Sequence, residues 1–182
     1  MKYHNITVDD MLNGDGLRTV LWLSGCDHRC RGCQNPQTWD PDSGLAFDDA
    51  AREELFGYLA RDYISGLTLS GGDPLYEANI KPVGDLIREV RKAFPEKSIW
   101  LYTGSLFEDI RTLPFIPLID VIVDGPFVRE LADAQLHWKG SANQRVIDVR
   151  RTMTEGRIIL WTDNRYVPVR EDIQEPPCCP DH

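Results

Sequence analysis

Cys26, Cys30 and Cys33 stand as C-x3-C-x2-C within Cys26-Asp27-His28-Arg29-Cys30-Arg31-Gly32-Cys33. Three thiolates on one tight loop can grip one face of an iron–sulfur cubane, and soft sulfur ligands suit iron–sulfur and zinc sites alike. A structural zinc wants four ligands. His28 lies too close in sequence to two of the cysteines to complete a tetrahedron, so zinc would need a remote fourth ligand. A cluster with three protein ligands instead leaves one iron open to a cofactor or substrate. An electron carrier of the ferredoxin kind usually takes four cysteines per cluster, one more than stand here. The chain has 5 cysteines in all. Cys178 and Cys179, in Glu175-Pro176-Pro177-Cys178-Cys179-Pro180, read as thiols of a loose tail outside the site. An odd count does not suggest a disulfide framework, and clustered thiols point to metal or catalysis.

A loop of this kind needs elements to present it. The apolar run 17–24 stops at Gly25 and reads as a buried strand. Residues 66–70 form a second strand before Gly71-Gly72, 98–102 a third before Thr103-Gly104, and 119–123 a fourth before Asp124-Gly125-Pro126. Between them, 48–61 has a helical period with Asp48 as N-cap, 81–94 places Val83, Leu86, Ile87, Val90 and Phe94 on one helix face, and 106–113 is a short helix. Stretches 145–149 and 157–161 are weaker strands. Strands alternating with helices imply βα units and a mainly parallel sheet. Right-handed crossovers wind such a sheet toward a barrel. A full eight-unit barrel takes about 250 residues, and 182 residues are too few, so the expected fold is α/β with an incomplete, open (βα) barrel.

Each of these strands runs straight into an unusual loop, and in parallel α/β sheets such loops gather on one edge, where ligands bind. Gly25-Cys26, Ser70-Gly71-Gly72-Asp73, Thr103-Gly104-Ser105 and Asp124-Gly125 are thus expected to converge. Taken alone, Ser70–Asp73 reads as a strand-terminating turn, and Thr103-Gly104-Ser105 equally as a helix N-cap or as donors for a ribose or carboxylate.

Hydrophobic residues make up 42% and charged residues 27%, as in an ordinary globular domain. The domain is expected over 1–169, with a flexible tail at 170–182. The formal net charge of −9 argues against a nucleic-acid backbone as direct partner. No apolar run is long enough to cross a membrane, and the polar start Met1-Lys2-Tyr3-His4 gives no signal core, so a cytoplasmic location is expected. Arg18 and Arg29 are read as surface charges, His4, His137 and His182 as surface or packing residues, and Trp39, Trp100 and Trp138 as core or interface aromatics.

The cysteine motif after a first strand resembles the radical S-adenosylmethionine superfamily. Within it, the chain resembles the anaerobic ribonucleoside-triphosphate reductase activating proteins. Asn13-Gly14-Asp15-Gly16-Leu17-Arg18, Ser24-Gly25-Cys26, Gly32-Cys33-Gln34-Asn35, Thr38-Trp39 and Gly44 carry that resemblance, with Leu69–Leu75, Trp100–Gly104, Asp120–Gly125 and Gly140-Ser141-Ala142-Asn143-Gln144-Arg145. It covers residues 3 to 160. The superfamily usually has an aromatic residue just before the third cysteine; here that position is Gly32, so the backbone of 32–34 would serve the adenine instead.

The resemblance implies a [4Fe-4S] cluster on Cys26, Cys30 and Cys33 and a fold of the radical S-adenosylmethionine type. It implies S-adenosyl-L-methionine bound by Gly32, Cys33, Gln34, Ser70, Gly71, Gly72, Asp73 and Thr103, with Asp73 accepting from its cationic amino group. Asn35 would order the loop. No catalytic residue is expected beyond the cluster and the cofactor. The implied activity is generation of a 5′-deoxyadenosyl radical that makes a glycyl radical on the large subunit of the reductase. The reductant would be a flavodoxin-like protein, and the assembly a homodimer or heterotetramer. Two rivals remain: a radical enzyme acting on a small molecule in the manner of a deazaguanine synthase, and a non-enzymatic zinc module.

Overall fold

In the computed structural model the structure describes residues 1–162. The expected tail at 170–182, with Cys178, Cys179 and His182, lies outside the described residues. The elements are β1 (Lys2–Asp10), β2 (Arg18–Leu23), β3 (Leu45–Ala46), α1 (Asp49–Leu59), β4 (Gly66–Gly71), α2 (Glu77–Ala93), β5 (Ser98–Tyr102), α3 (Phe107–Ile110), β6 (Val121–Asp124), β7 (Arg145–Asp148) and α4 (Val149–Glu155). They form an α/β fold around one 7-stranded sheet of order β3-β1-β2-β4-β5-β6-β7.

The four strands that carry the unusual loops are parallel and adjacent, from β2 through β4 and β5 to β6. The sheet as a whole is mixed and unclosed, which corrects the expectation of a mainly parallel one. β1 returns directly into β2 through a short connection and therefore pairs antiparallel with it. β7 pairs antiparallel with β6, because the 125–144 connection carries no crossover α-helix. β1 gave no strand signal: Tyr3 is its only buried residue, and two irregularities break its register.

Strand periodicity separates two faces. Leu21, Leu23, Leu67, Leu69, Ile99, Leu101 and Ile122 pack with Leu55, Leu59, Val83, Ile87 and Val90 of α1 and α2 in the main core. The opposite face holds a small cluster of Trp100, Val121 and Val123, joined by Tyr102, Trp138, Val146 and Trp161. Trp100 sits edge-on to Trp138 and Trp161, at 5.1 and 5.8 Å between ring centroids.

Asp48 caps α1 as expected, accepting from the Ala51 N–H at 3.0 Å. α2 begins at Glu77, earlier than its apolar pattern indicates, because its first turn buries a polar residue, Asn79. The expected helix at 106–113 shortens to α3, and a separate 3-10 turn follows beyond it at Ile116–Leu118. The stretch 157–161 makes only a single bridge, Ile147 to Leu160. α4 went unread, although Asp148 caps its start and Gly156, at φ 68°, closes its end.

Arg18 is no surface charge; it is fully buried beneath the sheet face opposite the helices. Its Nε donates to Thr68 Oγ1 at 2.7 Å, Nη1 to Ser98 Oγ at 2.9 Å and to the Asp15 carbonyl at 3.0 Å, and Nη2 to the Leu67 and Ser98 carbonyls at 2.7 and 3.0 Å. The guanidinium lies 5.3 Å from the Trp100 ring centroid. Burial lowers its pKa to about 10, which leaves it charged at neutral pH. These partners come from elements up to 80 positions away in sequence, so strand pattern alone could not reveal them.

Arg18→Ala leaves buried carbonyls without a donor and is expected to cost about 2–4 kcal/mol. Arg29→Ala, at an exposed position, should stay within about 0.5 kcal/mol. Urea unfolding followed by circular dichroism measures both, and equal midpoints for the two variants would refute the structural role of Arg18.

Candidate metal and cofactor site

β2 delivers the chain to Gly25, where the thiol loop begins. The loop's base is tied to the segment after it: Gly25 N–H donates to the Thr38 carbonyl at 2.7 Å and Cys26 N–H to that of Trp39 at 3.1 Å. Within it, Cys33 N–H donates to the Cys30 carbonyl at 3.1 Å and Asn35 N–H to Cys33 Sγ at 3.3 Å. Asn35 thus orders the loop through its backbone, as Thr38 Oγ1 donating to the Asn35 carbonyl at 2.7 Å reinforces.

A cavity of about 720 Å³ opens at the strand ends, within the size range of small-molecule and cofactor sites. Cys26, Cys30, Cys33, Gln34, Ser70, Gly71, Gly72, Asp73 and Thr103 all line it, so the sequence-derived site residues do converge. Gly32 is not among the lining residues: it is exposed, and a Cβ there would meet the Arg129 side chain at 3.0 Å. Trp22 of β2 and Tyr102 of β5 supply aromatic walls from the sheet, and Trp138, Lys139 and Gln144 line the cavity from the 125–144 connection.

The thiols Cys26, Cys30 and Cys33 are half-buried and free. Among the described residues no three His, Cys, Asp or Glu side chains are spaced to hold a single metal ion. A cubane asks for a different spacing, because each thiolate takes a different iron. Soft donors on one loop, facing one cavity of adequate size, fit such a cluster and a cofactor beside it. Burial pushes the Cys26 thiol up, and the Asp73 carboxylate adds to this while the His28 and Arg29 N–H groups oppose it. Iron binding would override that shift, since a coordinated thiol is deprotonated.

Asp73 is the junction of the site. It is 3% exposed. Oδ1 accepts from Leu75 N–H at 2.8 Å; Oδ2 accepts from Thr103 Oγ1 at 2.9 Å, Gly104 N–H at 3.1 Å and His28 Nε2 at 2.8 Å. The carboxylate expected to face the cofactor's amino group is therefore engaged by four protein donors. The hydrogen bond to Asp73 raises the His28 pKa, against the opposing effect of partial burial. Asn79 of α2 donates its amide to the Ser24 carbonyl at 2.7 Å and the Asp73 carbonyl at 3.3 Å, pinning the helix to both loops. His28 and Asn79 were missed in the sequence. A histidine inside the cysteine motif was the only signal for the first, and a buried polar residue in a helix's first turn leaves none for the second.

The thiol loop at the end of a parallel strand defines a class, the single-cluster iron–sulfur proteins, and residues 12–147 match the family described as a 4Fe-4S single cluster domain. Three relatives share a common name, anaerobic ribonucleoside-triphosphate reductase-activating protein. That of phage T4 is 45% identical over 146 residues, 80% of this chain and 93% of the relative. The Haemophilus influenzae protein is 39% identical over 148 residues, 79% and 96% of the two chains. The Escherichia coli K12 protein is 39% identical over 154 residues, 82% and 100%. The chain belongs to the anaerobic ribonucleoside-triphosphate reductase-activating protein family.

Gly71 sits at φ 103°, and a Cβ there would meet the Leu23 backbone nitrogen at 2.6 Å. Gly71→Ala is expected to cost more than about 2 kcal/mol, combining strain with a backbone clash. Gly57 is an exposed helical position with nothing within 4 Å of such a Cβ. There Gly57→Ala should stabilise by about 0.5–1 kcal/mol. Thermal unfolding of the two variants tests the contrast in sign.

Proposed function

We propose that this chain is a radical S-adenosylmethionine activase that generates a glycyl radical on the large subunit of an anaerobic ribonucleoside-triphosphate reductase. One observation carries the reading: Cys26, Cys30 and Cys33 share a single cavity with Ser70–Asp73 and Thr103. The names of the relatives support the same partner. Cys26, Cys30 and Cys33 would hold three irons of a [4Fe-4S] cluster and leave the fourth for S-adenosyl-L-methionine. When bound, cluster and cofactor together supply a 5′-deoxyadenosyl radical able to take a hydrogen atom from a glycine α-carbon.

The chain's own residues bind, orient and shield. The backbone of Ser70, Gly71 and Gly72 offers bare peptide groups along one wall, because the glycines allow close approach. Gln34 and the backbone of Cys33 border the thiols, Gly32 shapes the turn between them, and Thr103 is held in place by Asp73. Trp22, Tyr102 and Trp138, which line the cavity, would shield a bound cofactor from water. The reading further takes 1–169 as one radical S-adenosylmethionine domain whose unclosed sheet is an open barrel. It places the protein in the cytoplasm, with a flavodoxin-like reductant and a homodimer or heterotetramer as the assembly. Among the described residues no helix is long and apolar enough to cross a membrane.

Anaerobic purification, reduction and EPR spectroscopy with and without S-adenosylmethionine test the proposal. A reduced four-iron signal that shifts on addition, release of 5′-deoxyadenosine, and a new glycyl radical on added reductase large subunit are expected. Cys30→Ala should abolish all three. Zinc without iron in the protein, or a cluster indifferent to S-adenosylmethionine, would refute it.

A further inference from the structure

We infer that His28 is a positioning residue: by donating to the buried Asp73 carboxylate, it fixes the cluster loop between Cys26 and Cys30 against the loops that follow β4 and β5. The inference rests on the proposed cluster site and deepens it.

The stretch 27–29 needs holding. Arg29 sits at φ 45°, a left-handed conformation unfavourable for a side-chain-bearing residue. Among the described residues, His28 makes the only side-chain hydrogen bond that leaves this stretch, Nε2 to Asp73 Oδ2 at 2.8 Å. Asp73 accepts only, so the His28 nitrogen carries the proton of this bond.

The ring also packs on Gly104, where a Cβ would meet its Cγ and Nε2 at 2.6 Å. Only a bare backbone at 104 lets the imidazole lie there. The same carboxylate oxygen that receives His28 also receives Thr103 and Gly104. One oxygen therefore fixes the thiol loop and the loop after β5 in the same frame. His28 lines the cavity and keeps 31% side-chain exposure, so the ring borders the space the cofactor would take. Groups that orient metal ligands in this way typically alter metal-site affinity or activity 10- to 100-fold when replaced.

The test compares wild type, His28→Leu and His28→Gln in the full chain, prepared without air. Leucine fills space without donating; glutamine keeps a donor for Asp73. In metal-free protein, iodoacetamide alkylation of Cys26 and Cys30 is followed by mass spectrometry. In protein reconstituted with iron and sulfide, the reduced EPR line shape and the S-adenosylmethionine dissociation constant are measured. His28→Leu is expected to alkylate about 10-fold faster, to broaden the signal and to bind about 10-fold more weakly, and His28→Gln to stay within about 3-fold of wild type. Both variants matching wild type, or both impaired alike, overturns the inference. Should His28→Leu fail to fold, His28→Ala takes its place as the variant without a donor: His28→Ala impaired with His28→Gln near wild type supports the inference, and the two behaving alike overturns it. A wild type that assembles no cluster defeats the proposed function, while the alkylation comparison still judges His28.

Discussion

The Asp73 carboxylate is the constraint on which the cavity depends. An ion buried this deeply loses its hydration, and only multiple donors can offset that loss. Its four donors come from residues 28, 75, 103 and 104. Removing any one of them raises the cost of keeping the charge buried, so the carboxylate holds the loop after β2, its own turn and the loop after β5 as a unit. The Asp73 N–H adds a fifth bond, donating to the Gly25 carbonyl at 2.7 Å. The thiol loop is thereby joined to its two neighbouring loops, in addition to the bonds it makes within itself and to Thr38 and Trp39.

Parallel pairing of β2, β4, β5 and β6 makes the junction reachable. Their registers align Leu23 with Gly71 and Leu69 with Leu101, so the strands end level and their loops meet. The side faces then divide the work. Leucines and isoleucines on one face meet α1 and α2 and provide the hydrophobic drive. On the other face a few aromatics and valines form a smaller cluster, and the space above it is the cavity.

Arg18 anchors the opposite end of that open face. Its five donors bind carbonyls and hydroxyls of the first turn, β4 and β5. A side chain that long and fully donor can bridge strand starts where no helix packs, and its stack on Trp100 joins it to the aromatic cluster. The face is therefore polar and cross-linked at the strand starts, aromatic in the middle and glycine-rich at the strand ends.

By itself the sequence determined the chemistry and much of the local structure. Thiol softness and the C-x3-C-x2-C spacing restrict the site to iron–sulfur or zinc whatever the surroundings, and three ligands rather than four favour a cluster. Alternation, an Asp48 cap and glycines at strand ends are local signals, and they yielded α1, the four central strands and the convergence of their loops. Only the tertiary structure decided the rest, because each of those features needs a partner distant in sequence. β1 is a strand because β2 lies beside it, not because its polar residues favour one. The reversal of β1 and β7 that makes the sheet mixed depends on how their connections cross the sheet. Arg18 is buried because Thr68 and Ser98 stand 50 and 80 positions on. Asp73 became a junction because folding brings His28 and Thr103 to it from 45 and 30 positions away. A residue's type sets which bonds it can make; which of them it makes depends on the neighbours that folding brings to it.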